Sequence, residues 1–94
     1  MTLDAKTRSN LRSKAQRVET TIQVGKAGVT DHVVEELRQQ CTRRGLVKVG
    51  LLKSATHEEG KDAVAQGLAE QAGVDLVEVR GNTAVYWKRT ATVK

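Results

Sequence analysis

The sequence predicts a small α/β domain, a two-layer sandwich with a four-stranded mixed sheet and the element order α-β-α-β-α-β-β. Three observations carry this. Runs rich in β-branched residues alternate with runs whose apolar residues recur at helical spacing, which makes two strand–helix–strand units and therefore parallel pairing. Gly81-Asn82 separates two further strand-like runs and is a two-residue hairpin signal, which adds an antiparallel strand. Several strands also have a polar second face, which fits a two-layer sandwich better than a sheet wrapped on both sides.

In order, residues 4–18 read as a first helix, with Leu11, Ala15 and Val18 as a narrow apolar stripe. Lys6, Arg8, Arg12, Lys14 and Arg17 cover much of its remaining surface. Residues 20–24 form a strand in which Ile22 and Val24 point one way and Thr21 and Gln23 the other. Thr30 is a suitable N-cap for a second helix over 31–44, and Asp31 suits its positive first turn. Val33, Val34, Leu37 and Cys41 make the buried face of that helix, and Gly45 is its C′ residue. Residues 46–52 form a buried second strand. The third helix, 58–72, turns Val64, Ala65, Leu68 and Ala72 inward, and Gly73 ends it. Gly60 and Gly67 each weaken it by about 1 kcal/mol relative to Ala. Strands at 74–80 and 83–89 close the hairpin, and 90–94 is expected to fray.

Ninety-four residues make one domain, 1–94, with an ordered core at about 4–89 and one modest hydrophobic interior. The net charge is +5 and the pI is near 9.7. Such a balance points to a polyanionic partner, most often nucleic acid. The charge is concentrated early: through residue 28 there are six cations against Asp4 and Glu19, a net of +4. No stretch has the length and apolarity of a membrane span, and the N-terminus lacks the apolar segment of a secretory signal. The single cysteine, Cys41, fits a reducing cytoplasm and sits on the apolar stripe of helix two as a core residue. The reading is of a cytoplasmic monomer.

The stretch with chemical content is Gly25-Lys26-Ala27-Gly28, between strand one and helix two. Two glycines let the backbone turn and let a ligand come close. The helix start that follows supplies spare N–H groups and partial positive charge. Together these favour a phosphate group, although the same glycines would also serve a plain strand-to-helix connection. It is not a Walker A loop, because Thr20 and Ala27 stand where that motif requires Gly and Ser or Thr. With a basic first helix close by, the expected ligand is a nucleic-acid backbone, and the expected contacts are Gly25, Lys26, Ala27 and Gly28 with Arg8, Arg12, Lys14 and Arg17.

Little points to catalysis. His32 lies in the first turn of helix two, and the run His57-Glu58-Glu59 lacks the second histidine of a zinc-hydrolase motif. Two histidines and one cysteine make no zinc site, and no cofactor is implied. The aromatics are Tyr86 and Trp87 alone. Adjacent in a strand, they face opposite ways: one belongs to the core, and the other is left as an exposed ring near Lys88 and Arg89 that could stack on a base. Two or three exposed rings are needed for a stacking platform, so affinity is expected from charge and loop geometry.

These pieces, in this order, resemble the CRM domain, the chloroplast RNA-splicing and ribosome-maturation module, and most closely its stand-alone prokaryotic members. The matching segments are Leu11 to Ala15, Val24 to Thr30, Leu46 to Val49 and Gly81 to Tyr86. The most specific of them is the Gly-Lys-x-Gly-aliphatic-Thr segment. Departures are Gln16 where many members have His, Asn82 where a basic residue is common, and an altered ending at Tyr86 to Arg89. The resemblance implies a fold similar to the C-terminal domain of bacterial translation initiation factor three. It also implies RNA binding, with the glycine loop and the neighbouring basic surface as the contact region, and a role with large-subunit ribosomal precursors. Arg12 falls within a matching segment, whereas Arg8, Lys14 and Arg17 are chosen on charge placement. Two other readings stand beside this one: a winged-helix DNA-binding protein, whose order α-β-α-α-β-β lacks only the strand at 46–52, and a small enzyme gripping a nucleotide phosphate.

Overall fold

A computed structural model of the chain describes residues 5–53 and 60–88. The elements are α1 (Ala5–Ala15), β1 (Thr20–Val24), α2 (Asp31–Arg44), β2 (Leu46–Leu51), α3 (Lys61–Ala72), β3 (Asp75–Arg80) and β4 (Thr83–Trp87). The four strands form one mixed sheet in the order β1-β2-β4-β3. β1 runs parallel to β2, and β4 runs antiparallel to both of its neighbours. The crossover through α3 therefore skips one strand position, and the hairpin return fills it. β2 is a central strand, and a winged-helix order has no place for it. No helix among the described residues is long and apolar enough to cross a membrane.

Side-chain alternation divides the interior in two. Along β4, Ala84 and Tyr86 enter the larger cluster with Leu37 and Cys41 of α2 and Ala65 and Leu68 of α3. Val85, with Trp87 beside it, turns the other way and meets Leu11 and Ala15 of α1 and Val77 of β3. The sandwich of α2 and α3 on the sheet is as expected. The opposite face is not wholly polar, however, and α1 lies across part of it as a partial third layer. Leu11 and Ala15, the narrow stripe of that helix, are what the face needs to cover two valines.

Two helix ends differ from the sequence reading for physical reasons. α1 stops at Ala15 rather than 18 because the next amides bond three residues back: Arg17 N–H to the Lys14 carbonyl and Val18 N–H to the Ala15 carbonyl, both 3.1 Å. That is a tightened 3₁₀ exit. α3 starts at Lys61, with Gly60 at its N-cap and φ of 84°. Gly60 therefore lies outside the helix and does not weaken its interior. Residues 58 and 59 fall outside the described residues, as do Asp4, His57, Arg89 and 90–94. At the sheet edge, β1 carries a register irregularity between Thr20 and Ile22. There Thr21 donates to Gln40 Oε1 at 2.6 Å, and Gln40 in turn donates to Glu36 Oε2 at 2.9 Å. Gln40 is buried, and these bonds satisfy it while tying the edge strand to α2.

α2 and α3 are fastened to each other and to the sheet by two polar contacts that the sequence does not announce. Arg38 donates to the Gln71 carbonyl at 3.1 Å and the Ala72 carbonyl at 3.4 Å, capping the C-terminal end of α3. Tyr86, fully buried, donates its hydroxyl to the Ala65 carbonyl at 2.9 Å. Tyr86→Phe removes one hydrogen bond and leaves the shape, so it should lower unfolding free energy by about 1 kcal/mol in urea titrations.

Burial pushes the Cys41 thiol up from 9.0 to about 12, opposed in part by the charge of Lys88. Burial also raises the Tyr86 phenol, and Cys41 adds to that rise. The folded state thus keeps these protons at pH values where an unfolded chain has lost them. The Cys41 contribution is intact below pH 9.0 and is lost as pH rises toward about 12, and that of Tyr86 is lost at higher pH. Denaturation midpoints should fall across that window, and less steeply in Cys41→Ala.

Candidate nucleic-acid interface

The glycine loop leaves the sheet at the C-terminal end of β1, where the Val24 carbonyl accepts the Leu52 N–H at 3.0 Å. Residues 25–28 then close a tight turn, with the Gly28 N–H donating to the Gly25 carbonyl at 2.8 Å. Gly28 has φ of 75°, and a Cβ there would meet no other atom within 4 Å. Its glycine answers a backbone demand and no crowding. A Cβ on Gly25 would sit 3.6 Å from Leu52 Cδ1, an ordinary contact. Val29 then packs on the core, and Thr30 caps α2 by accepting the Val33 N–H at 3.2 Å. Lys26 and Ala27, at the tip, are exposed, and the two glycines are half-buried.

The tip therefore offers a lysine and bare backbone beside the start of a helix of 14 residues. Its free first-turn amides and partial positive charge favour an anion. Asp31 and His32, exposed in that turn, place one carboxylate and one imidazole at its edge. Leu52, next to Gly25, is 45% exposed, unusual for a large aliphatic side chain in this fold.

The cations predicted from helix one are distributed differently from the single corner the sequence suggests. Arg8 is half-buried and donates to the Val77 carbonyl of β3, on the sheet edge away from β1. Arg12 lies 3.9 Å from Glu78, with its side chain 52% exposed. Lys14 and Arg17 are exposed near the exit of α1, at the start of β1. The loop is at the other end of that strand, roughly 13 Å away at about 3.3 Å per residue. The structure thus separates a loop patch from an α1 patch, and it gives Arg8 a fastening role. Of the two aromatics, Tyr86 is the core residue. Trp87 is not an exposed ring as expected: it is half-buried against the α1 cluster beside Leu46.

A mixed α/β module with a glycine turn opening a capped helix defines a class of small domain, and comparison with known proteins gives it a family. The model of the CRS1 / YhbY (CRM) domain matches residues 3–88, and the chain belongs to that family. It is 36% identical over 88 residues to "Probable RNA-binding protein YqeI" of Bacillus subtilis (strain 168), covering 94% of this chain and 90% of that one. It is 34% identical over 86 residues to "Probable RNA-binding protein MJ0652" of Methanocaldococcus jannaschii, covering 92% of this chain and 63% of the relative's length. The solution structure of the hypothetical protein SAV1595 from Staphylococcus aureus superposes with a TM-score of 0.77 at 26% identity, covering 93% of this chain and 88% of that one.

The loop geometry separates its two glycines by experiment. Gly28→Ala forces an L-residue to positive φ and should cost about 1–2 kcal/mol. Gly25→Ala should change the melting temperature little.

Proposed function

We propose that this protein is a non-enzymatic RNA-binding protein that recognises ribosomal RNA in large-subunit precursors during ribosome assembly. It would work as a cytoplasmic monomer. The observation that carries the reading is the exposed tip of the 25–28 turn, held by its own hydrogen bond beside the start of α2. Supporting it are the family membership and relatives whose printed names describe RNA binding. Backbone amides of the turn and Lys26 hold one phosphate stretch. Lys14, Arg17 and the exposed part of Arg12 hold another part of the same strand. Phosphate contacts carry no sequence information, so specificity comes from RNA shape.

If about five phosphates are neutralised, affinity for single-stranded RNA should fall with salt at a log–log slope of roughly −3.5. Lys26 is exposed at the loop tip, so Lys26→Ala should weaken RNA binding with almost no change in melting temperature. Filter binding to a ribosomal RNA fragment with a single-stranded segment, with duplex DNA as competitor, checks both. A flat salt response, or normal binding by Lys26→Ala, overturns the proposed contact.

A further inference from the structure

The face of the sheet that α1 covers only in part ends in two cross-strand rows. The row nearest the glycine loop is Gln23, Gly50, Thr83 and Arg80, and the next is Thr20, Lys48, Val85 and Glu78. α1 covers Val85 with Leu11 and Ala15 and stops short of the loop-end row. Between its last turn and these rows lies a hollow of about 90 Å³, lined by Ala15 and Val85 as well as by Arg12, Gln16, Lys48, Glu78, Arg80 and Thr83. A second, polar recess along α1, past Ser9 and Ser13, shares Arg12, Gln16, Glu78 and Arg80 with it.

Three cations face one carboxylate in this hollow. Glu78, 3.9 Å from Arg12, offsets one of the three positive charges and leaves the hollow net positive. Neither Lys48 nor Arg80 has a side-chain ion pair among the described residues. Lys48 also interrupts an otherwise apolar central strand, between Val47 and Val49, both buried. A hydroxyl and two unneutralised cations around a recess are suited to an anionic oxygen.

We infer that this hollow is a second backbone site for the RNA strand held by the glycine loop, taking a phosphate between Lys48, Arg80 and Arg12, with Thr83 as a hydroxyl donor. The inference rests on the RNA-binding reading above. The loop-end row starts at Gln23, two residues before Gly25, and reaches Arg80 after three strand spacings, roughly 14 Å at about 4.8 Å each. A strand leaving the loop along this row therefore meets the hollow, which Thr83 and Arg80 line. Glu78 opposes the phosphate and competes for Arg12, so it acts as the brake in this site.

The test uses the full chain and one labelled structured RNA with single-stranded tails, titrated at several salt concentrations. Arg80→Gln and Lys48→Gln should each weaken binding and make the log–log salt slope shallower by about 0.7. Glu78→Gln should strengthen it, a sign that damage to the fold would not produce. Arg43→Gln, at the far end of α2, removes the same charge away from the hollow and should have a clearly smaller effect. Melting temperatures confirm that each variant is folded. If Arg80→Gln and Arg43→Gln weaken binding equally, or Glu78→Gln gives no gain, while Lys26→Ala still weakens binding, the hollow is overturned and the loop reading stands. If the unaltered protein shows no salt-dependent RNA binding, both fall.

Discussion

The strict alternation of side chains along β4 is the constraint on which the rest depends. This strand lies between β2 and β3 and carries apolar side chains on both faces, so both must find cover. Ala84 and Tyr86 take the side of α2 and α3, and Val85 and Trp87 take the side of α1. A slip of one residue would exchange the two sets, leaving the tyrosine hydroxyl without its carbonyl in α3 and the first helix without its valine. The same alternation places Lys48, Gly50, Arg80 and Thr83 on one surface, because their strands are in register with β4. Packing and surface chemistry are thus set together.

Most of the fold could be read from the chain. The limits of β1 and α2, the Thr30 cap, the Gly45 stop and the hairpin at Gly81-Asn82 follow from local residues and appear as expected. The family could be read as well, since its segments run through the matched span. The placement of α1 was less accessible. Its stripe of Leu11 and Ala15 shows that one side is buried, but which face of the sheet receives it is a long-range matter. The strand order was hidden for the same reason, and with it the partners of Arg8 and Arg12. Charge on a helical wheel cannot tell a cation that binds a ligand from one that fastens the helix, as Arg8 does through the Val77 carbonyl.

The site divides in a similar way. The turn at residues 25–28 is a local device, and its sequence spells out its geometry: a closing hydrogen bond, a positive φ at Gly28, then a capped helix. The turn is closed by its own hydrogen bond, which limits the conformational entropy lost on binding. Basic residues outside α1, such as Lys48 and Arg80, are marked as contacts by no local motif, although Lys48 lies within the family segment Leu46 to Val49. The only trace they leave is polarity at alternate positions of strands that are otherwise apolar, and their convergence depends on three strand pairings.

The irregularity in β3 between Leu76 and Glu78 has a consequence for how this surface could be altered. An extra residue there sets Val77 and Glu78 against the single Val85, so one side chain can anchor α1 while its neighbour stays on the same side as a carboxylate. Removing that residue would rotate the preceding part of the strand by half its repeat relative to Arg80 and break the pairing of anchor with charge. The acidic wall is therefore a property of chain length at one point. Exchanging side chains alone could not graft it onto a homologue whose corresponding strand is regular.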